Sequence, residues 1–329
     1  MAALGAMYGG WAVVGYFLWK DRTWRLYWIF LAGMWGLSWS LTVRLWPFSL
    51  KKALPSPTLC MATWNMDASH YERKLIERDL AFLAEMRADV VCLQEVYLGD
   101  YSAECFAERA GYPYILFGKA GPAMGLAILS RYPVVDYGAS VLLQGSTNGV
   151  LVGKIILPNG DTVLVVNVHY PSYRLGKVKS WWYGHWRRVW EAERQIDSLL
   201  EQLRRVWRGP MWVCGDFNAI PLSYAVGQWW GRLQDSYGAA GWLEGPTWRP
   251  IPLRIDYIWG PSPAYRQMTR WADGHFHAYL AAEYSAHSPT LMKRKSLTFV
   301  PLGALAQGFR APASHAGGRW FESITPHSR

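Results

Sequence analysis

The sequence has few charged residues and few cysteines, and each deficit excludes a class of protein. Charged side chains make up 18% of its 329 residues and hydrophobic ones 51%. A disordered or fibrous chain is therefore excluded, because such chains lack the apolar residues that build a core. The four cysteines show no C-x-x-C spacing, so neither a disulfide framework nor a cysteine metal site is predicted. No internal repeat at solenoid spacing is present.

Two segments near the N-terminus lack charge altogether. Residues 2–19 and 26–43 each run for about 18 residues without a charged side chain, close to the ~20 that cross a bilayer. No positive charge precedes the first segment, as a signal peptide would require. The pattern predicts a two-helix transmembrane hairpin within residues 1–50, since a pair of buried core helices would show more polar positions on one face.

The basic residues around these segments bear on orientation. Three lie in the turn between the segments and three follow the second one: Lys20, Arg22 and Arg25, then Arg44, Lys51 and Lys52. The two groups balance each other, but the N-terminal flank adds no Lys or Arg. The positive-inside rule then favours a cytoplasmic turn. We expect an integral membrane protein whose following domain lies on the extracytoplasmic side.

The rest of the chain alternates between two kinds of pattern. Residues 51–57 include Pro55-Ser56-Pro57 and are predicted to form a stiff linker. Residues 58–296 form the main domain, and residues 297–329, rich in Gly, Ala, Pro and Ser, a loosely ordered tail. Helices are predicted at 71–87 and 180–207. Strands are predicted at 58–64, 89–93, 125–129, 150–157, 162–168 and 211–214. The domain is therefore of the α/β class.

Several of the apolar runs end in polar residues. Asn65, Glu95, His169 and Asp216 each stand at or just after the end of a predicted strand. A single residue of this kind is more often a turn former or a helix cap. Several of them converging at one rim of a sheet would instead form a cleft, where rigidly held side chains meet solvent.

The combination of these motifs resembles a known family. In chain order the motifs are Trp64-Asn65, Leu93-Gln94-Glu95, Asn167-Val168-His169, Gly215-Asp216-Phe217-Asn218, Arg254-Ile255-Asp256-Tyr257-Ile258 and Ser285-Ala286-His287-Ser288-Pro289. Across residues 58–292 this series is similar to the endonuclease/exonuclease/phosphatase superfamily, the deoxyribonuclease-I-like fold. The resemblance implies a four-layer α/β/β/α sandwich, in which two mainly antiparallel sheets pack face to face with helices outside. It also implies hydrolysis of phosphoester bonds with Mg²⁺ or Mn²⁺ as cofactor.

The resemblance assigns a role to each polar residue of the early motifs. Glu95 is the main metal ligand and Asn65 supports it, which suits the preference of Mg²⁺ for oxygen ligands. Asp216 orients or deprotonates the attacking water, and Asn218 donates a hydrogen bond to the phosphoryl group. Phosphate-ester hydrolysis needs such a cation, an aligned water and donors where negative charge develops.

The histidines complete the site that the resemblance implies. His169 and His287 would contact phosphate oxygens, and Asp256 would hold His287 in a useful tautomer. The last motif departs from the family pattern, which usually reads Ser-Asp-His, because Ala286 stands where a carboxylate is usual. Alanine neither binds a cation nor accepts a proton, so the departure predicts a thinner metal shell, low activity or a silenced site.

The substrate is indicated only by charge and aromatic content. The net charge of +10 favours anionic partners. Trp182, Trp186 and Trp190 repeat every four residues in the second predicted helix beside Arg187, a pattern that suits a headgroup layer but also a core stripe. Asn167, Trp182, Trp186 and Arg187 are the candidate substrate contacts.

Together these features predict a membrane-anchored, divalent-metal-dependent phosphoesterase. Its substrate would be a phosphodiester or phosphomonoester of a lipid headgroup, and its partner the lipid bilayer; no protein partner is predicted. A membrane-tethered nuclease is the first alternative, because aromatic and Arg side chains also bind nucleic acid. A phosphate-ligand binding module, silenced at Ala286, is the second.

Overall fold

The structure is a computed structural model. It describes residues 16, 28, 33, 58–67, 73–119, 124–137, 141–142, 147–172, 182–241, 245–249 and 252–286. The predicted linker, the tail and, apart from those three single residues, the predicted transmembrane hairpin lie outside this part of the chain. Among the described residues, no helix combines the length and the apolar character needed to cross a membrane.

Thirteen strands and five helices are assigned within the described residues of the main domain. The strands are β1 (Thr58–Asn65), β2 (Val90–Tyr97), β3 (Tyr114–Lys119), β4 (Met124–Ser130), β5 (Val134–Tyr137), β6 (Val141–Leu142), β7 (Gly149–Ile156), β8 (Thr162–His169), β9 (Met211–Asp216), β10 (Gln234–Asp235), β11 (Asp256–Gly260), β12 (Arg266–Arg270) and β13 (Tyr279–Ser285). The helices are α1 (Arg73–Met86), α2 (Ala103–Arg109), α3 (Trp182–Val206), α4 (Tyr224–Gly227) and α5 (Ser236–Ala240).

The strands form two mixed sheets. One has the order β12-β13-β1-β2-β4-β3, and the other has the order β10-β11-β9-β8-β7-β5, with β6 also paired to β7. Only the β1–β2 and β8–β9 pairs are parallel among the pairings described. The predicted pair of mainly antiparallel sheets is therefore confirmed. All six predicted strands and both predicted helices exist, while strands β3, β5, β6, β10, β12 and β13 were not predicted.

Three hydrophobic clusters show that the molecule has four layers. The first lies between the sheets and contains Met61, Cys92, Val165 and Cys214. The second covers the outer face of the β1 sheet with α1 and α2, and the third covers the outer face of the β8 sheet with α3 and α4. Strand alternation builds this arrangement, because successive side chains point to opposite faces. The predicted α/β/β/α sandwich is confirmed.

The faces between the sheets become polar toward one end of the sandwich. In four strands, alternate residues on the inner face change from apolar to polar toward the carboxyl end of the strand. They are Met61, Thr63 and Asn65 in β1; Cys92 and Gln94 in β2; Val165, Asn167 and His169 in β8; and Trp212, Cys214 and Asp216 in β9. Every one of these residues is buried. Since β1 and β2 run parallel, as do β8 and β9, their carboxyl ends meet at one rim.

Candidate active site

The rim at these carboxyl ends gathers the predicted polar residues. Asp216 ends β9, and its register partner on β11 is Asp256. Asp216 also lies opposite His169, the last residue of β8. Asn65 reaches Asp216 from the other sheet, where its Nδ2 donates to Asp216 Oδ2 at 2.9 Å. The two sheets therefore meet at Asp216, whose side chain is 1% exposed.

Gly215 allows β9 to present Asp216 at this position. Its φ is +147°, and a Cβ added there would lie 1.9 Å from the carbonyl oxygen of Val168 in β8. No residue larger than glycine fits this approach of the two strands. The close approach of β8 and β9 therefore explains why glycine stands before Asp216 in the Gly-Asp-Phe-Asn motif.

Two of the rim residues have an unusual backbone. Glu95 has φ +49° and Asn218 has φ +47°, both in the left-handed region that non-glycine residues rarely adopt. Glu95 lies in a bulge of β2, where the register with β4 shifts between Leu93 and Val96. Strained conformations of this kind cluster at functional sites, where a bulge re-aims a side chain.

Asn218 orients Asp216 in this structure. Its backbone N–H donates to Asp216 Oδ1 at 2.7 Å, and its Nδ2 donates to Asp216 Oδ2 at 3.3 Å and to the carbonyl of Tyr170 at 2.8 Å. Both amide hydrogens of the side chain are thereby engaged. The donation to a phosphoryl group that the resemblance implies for Asn218 is not available in this arrangement.

His277 occupies a position that the sequence interpretation missed. It lies two residues before β13, and its Nδ1 lies 3.1 Å from Asp256 Oδ2. Because a carboxylate only accepts, Nδ1 carries the proton. The other ring nitrogen, Nε2, lies 3.9 Å from Asp216 Oδ2. Asp256 therefore orients a histidine ring through its Nδ1 proton, and that histidine is His277.

The proposed last motif, Ser285–Pro289, requires a correction. Strand β13 runs antiparallel to β1, and Ser285 pairs with Thr58, at the opposite end of β1 from Asn65. Ala286 follows Ser285 and accepts a hydrogen bond from Asn159 in the turn between β7 and β8. Seven strand residues place it roughly 20 Å from the rim. Ala286 is thus not a missing carboxylate of this site, and His287 lies outside the described residues.

The local sequence held one signal for His277. A histidine is followed by a run of apolar residues that must form the last strand, and an antiparallel partner of β1 begins where β1 ends. The pairing of Thr63 with Leu280 therefore brings the residues just before β13 to the rim. The indole of Trp64 fixes this point, because its Nε1 donates to the carbonyl of His277 at 3.3 Å.

Electrostatics differ among the buried groups. Burial and the neighbouring charge of Asp256 raise the pKa of the Asp216 carboxyl above its ordinary value. Burial alone would lower the pKa of His277, but the carboxylates of Asp256 and Asp216 outweigh it and raise that pKa to about 9. His277 is therefore an imidazolium at neutral pH, and its ring is held between two carboxyl groups.

His169 forms the other side of the rim. Its Nδ1 donates to the carbonyl of Thr147 at 3.1 Å, because a carbonyl only accepts. Its Nε2 consequently points toward two carboxyl groups, 3.6 Å from Glu95 Oε1 and 3.8 Å from Asp216 Oδ2. Both distances exceed a hydrogen bond, so neither carboxyl group is bonded to this nitrogen.

Asn167 is a structural residue, and its assignment as a substrate contact is corrected. Its Nδ2 donates to the carbonyls of Leu93 at 2.8 Å and Ala127 at 2.9 Å, and its Oδ1 accepts from Gln94 at 2.7 Å. The side chain is fully buried. Asn167 therefore joins the two sheets one layer below His169, and it steadies the strand that carries Glu95.

The predicted face of α3 is described only in part. The side chains of Trp182 and Trp186 lie outside the described part of the chain. Arg187 is exposed and pairs with Glu191 at 2.8 Å. Trp190 is 54% exposed, and the guanidinium of Arg194 lies 4.7 Å from its ring centroid. At Trp190 the helix therefore presents an aromatic side chain to solvent rather than to the core.

The acidic groups of the rim are suited to a divalent cation. Ligand atoms of Asp216, Asp256 and His277 lie within 4.8 Å of one another. A protonated imidazole does not bind metal, however, and His277 already balances one of these carboxylates. Glu95 is 30% exposed and hydrogen-bonds to none of the site residues above, so it offers the more open oxygen ligands. Glu95, Asp216 and Asp256 with one imidazolium leave two negative charges, which fit a divalent ion.

Comparison with known proteins agrees with this geometry. A family model described as the Endonuclease/Exonuclease/phosphatase family matches residues 62–287, more than half of the chain. The chain belongs to that family, whose members hydrolyse phosphoester bonds. No curated protein sequence matches the chain.

Solved structures with the same fold include three from different organisms. The catalytic domain of human Nocturnin with bound sulfate anion is 20% identical, with a TM-score of 0.52 over 71% of this chain and 95% of that one. Truncated TDP2 from Caenorhabditis elegans is 17% identical, with a TM-score of 0.52 over 70% and 99%. An endonuclease/exonuclease/phosphatase from Beutenbergia cavernae DSM 12333 is 20% identical, with a TM-score of 0.51 over 69% and 71%. At these identities the likeness shows the fold alone.

Proposed function

We propose that this protein is a membrane-anchored, Mg²⁺- or Mn²⁺-dependent phosphoesterase that hydrolyses a phosphodiester or phosphomonoester of a lipid headgroup. The observation that carries the reaction class is the buried cluster of Asp216, Asp256 and His277 beside the open carboxylate of Glu95. The lipid headgroup is supported by the uncharged N-terminal segments, which would hold the domain close to a bilayer, and by the net charge of +10.

Asp216 is the group that handles the attacking water. Its Oδ1 and Oδ2 are held by Asn65 and Asn218, while Oδ2 faces the space between the two histidines. The raised pKa of this carboxyl makes it a better proton acceptor than a solvent-exposed Asp. Asp216 would accept a proton from water as the oxygen attacks phosphorus and the ester P–O bond breaks, and the leaving alkoxide would take a proton from solvent.

His277 is the group that meets the negative charge of the reaction. Asp256 fixes the Nδ1 proton, so the second proton of the imidazolium is carried on Nε2, at the rim. That N–H would donate to a phosphoryl oxygen whose charge grows during the attack. Nδ1 of His169 already donates to the carbonyl of Thr147, so His169 would donate from Nε2 to a second oxygen when its ring carries both protons.

Glu95 and Asn65 would hold the divalent cation. Asn65 Oδ1 accepts one hydrogen bond, from the backbone N–H of Asp67 at 2.9 Å, and keeps a second lone pair. When bound, the cation supplies positive charge that neutralises an oxygen of the phosphate. The two residues come from neighbouring parallel strands, which fixes their spacing.

A substrate panel tests this proposal. The purified full chain is assayed with Mg²⁺ and with Mn²⁺ on phospholipids, DNA and small phosphate esters, beside Asp216→Ala and Asp161→Ala. Asp161 lies in the turn at the opposite end of β8 and serves as the matched control. We expect turnover of a phospholipid that Asp216→Ala abolishes and Asp161→Ala preserves.

Other outcomes of the same panel separate the alternatives. Turnover of DNA without turnover of lipid, with a steep dependence on salt, would establish a nuclease instead. Binding of metal and phosphate ligands without turnover of any substrate would establish a binding module. The binding-module hypothesis was based on Ala286 replacing a carboxylate of the site, and the position of Ala286 away from the rim removes that basis.

A further inference from the structure

Exposed apolar side chains are unevenly distributed over the domain. Within the described residues 58–286, the large ones are Val135, Trp190, Val206, Ile220, Leu222, Tyr224 and Phe276. Three of them fall in five residues that begin two positions after Asn218. Single exposed apolar residues are normal, whereas a cluster marks an interaction site. This cluster stands beside the active site.

The segment that carries the cluster is firmly held. Ile220, Leu222 and Tyr224 are 40%, 44% and 81% exposed, while Ala219 before them and Pro221 among them are buried. The hydroxyl of Tyr257 donates to the carbonyl of Ala219 at 2.9 Å. The alternation therefore comes from a fixed backbone that points three apolar side chains outward.

Helix α3 adds an aromatic side chain at the same end. Asp197 accepts from the hydroxyl of Tyr170 at 2.6 Å and from Gln228 Nε2 at 2.8 Å. Tyr170 adjoins the site, since Asn218 donates to its carbonyl. Trp190 precedes Asp197 by seven helical residues, which places it about 10 Å farther along the axis, toward the start of the helix. Because α3 returns between the parallel strands β8 and β9, its start lies at the rim end.

We define Trp190, Ile220, Leu222 and Tyr224 as the rim surface. Val206 ends α3 at the opposite end of the sandwich, and Val135 follows Val134, which pairs with Ile155 near that end of β7. These two exposed valines stand apart from the cluster. The exposed apolar area is therefore concentrated where substrate must enter.

Positive charge accompanies the rim surface. Arg194 is exposed and lies over the ring of Trp190. Arg249 is exposed, its guanidinium lies 4.3 Å from the ring centroid of Trp271, and its backbone N–H donates to the carbonyl of Phe276, next to His277. Apolar and aromatic side chains bordered by Arg match the acyl boundary and the phosphates of an anionic bilayer.

We propose that the rim surface docks onto the surface of an anionic phospholipid bilayer and seats the active site over the headgroups. The proposal rests on the lipid-headgroup function and names the part of the domain that contacts the lipid. A protein partner would not require the two arginines that border the rim surface, and the site would be covered by a second copy of the chain. A bilayer that contains the substrate satisfies both features.

The first test measures docking without catalysis. The full chain is placed in nanodiscs of equimolar phosphatidylcholine and phosphatidylglycerol, or in amphipol without lipid, and is footprinted with hydroxyl radicals. We expect oxidation of Leu222 and Tyr224 to fall at least about fivefold in nanodiscs, because the side chains leave water. Oxidation of Val206 should be the same in both. Equal oxidation of residues 220–224 in the two preparations would overturn the proposal, as would protection in amphipol that rises with protein concentration.

The second test uses turnover. The triple variant Ile220→Ser, Leu222→Ser, Tyr224→Ser is compared with a control in which Val135 and Val206 become Ser. We expect the triple variant to hydrolyse phospholipid in vesicles at least about tenfold more slowly, with hydrolysis of a small soluble phosphate ester within about twofold of wild type. Equal losses on both substrates would overturn the proposal, since they would report damage to the site. If no phospholipid is hydrolysed by any form, the proposed function fails while footprinting still decides the docking.

Discussion

The active site has a buried half and an open half, and the two are built on different principles. In the buried half, Asp216, Asp256 and His277 are at most 10% exposed and balance much of one another's charge. In the open half, Glu95 is 30% exposed and is held by a left-handed backbone in a bulge. The comparison shows a division of work. The buried half fixes proton positions in a low dielectric, and the open half leaves a carboxylate free for an incoming cation.

The largest expected effect comes from removing the buried histidine. His277→Gln should lower kcat by about 10² to 10⁴, the usual loss when a positioned acid or base is removed. Asp256→Asn should cause a loss of similar size, because an amide does not hold the Nδ1 proton in the same way. Steady-state kinetics on the substrate found in the panel measures both.

His287→Gln is the matched control for that experiment. The resemblance of the sequence assigns His287 to the last motif, whereas the strand register brings His277 to Asp256. We expect His287→Gln to keep activity within about twofold of wild type. A large loss in His287→Gln with none in His277→Gln would show that the last strand pairs with β1 in another register.

The effect of a substitution in the open half should depend on the metal concentration rather than on pH. Glu95→Gln should slow turnover about 10²-fold at low Mg²⁺, since a cation supplies several kcal/mol of charge stabilisation. The rate should recover in part at high Mg²⁺. Glu104→Gln, in the first turn of α2, is the control. A Mg²⁺ titration of the rate measures the shift, and an unchanged midpoint in Glu95→Gln would exclude Glu95 as a ligand.

Substitutions in the two halves of the site should also differ in their effect on the free energy of unfolding. Glu95→Gln should leave the free energy of unfolding within about 0.5 kcal/mol, as for a partly exposed residue. His277→Gln should lower it, because two buried carboxyl groups lose their compensating charge. Urea unfolding of the metal-free proteins measures both values. Equal losses would contradict the division into a buried and an open half.

The pH dependence of that loss follows from the raised pKa of His277. A group whose pKa rises on folding stabilises the protein fully below its unfolded pKa, near 6.5, and loses this contribution as pH rises through about 9. The stability gap between wild type and His277→Gln should therefore be on the order of 2 to 3 kcal/mol at pH 6 and should shrink toward pH 10. Unfolding across this range in EDTA is the measurement. A gap that grows with pH would show that His277 is neutral in the native site.

The sequence predicts the parts of this site that local strand patterns determine, but not the parts that depend on contacts between distant residues. The strand ends at Asn65, His169 and Asp216 follow from local alternation, and so does their convergence at the ends of parallel strands. The role of Asn167 does not follow from it, because Asn167 and His169 share one face of β8 and differ only in depth. Asn167, which links the two sheets, and His169, which lies at the rim, are only two residues or about 7 Å apart along the strand.

His277 shows the second limit. A motif read along the chain, Ser-Ala-His-Ser-Pro, matched the family pattern better than the residues before β13 did. Which of the two reaches the rim depends on the pairing of β13 with β1, a contact between residues more than 200 positions apart. No local pattern contains that register. The same register corrects the role assigned to Ala286. Because Ala286 lies at the far end of β13, it gives no reason to regard the site as incomplete.

Ala286→Asp is accordingly the variant with the smallest expected effect. If Ala286 were the missing carboxylate of the site, restoring Asp would raise activity or lower the metal concentration needed for turnover. Because Ala286 lies roughly 20 Å from Asp216 along β13, we expect turnover and the Mg²⁺ midpoint to stay within about twofold of wild type. A new carboxylate in this partly exposed turn should also change stability by no more than about 0.5 kcal/mol. A rise in turnover of tenfold or more in Ala286→Asp would show that the end of β13 belongs to the site.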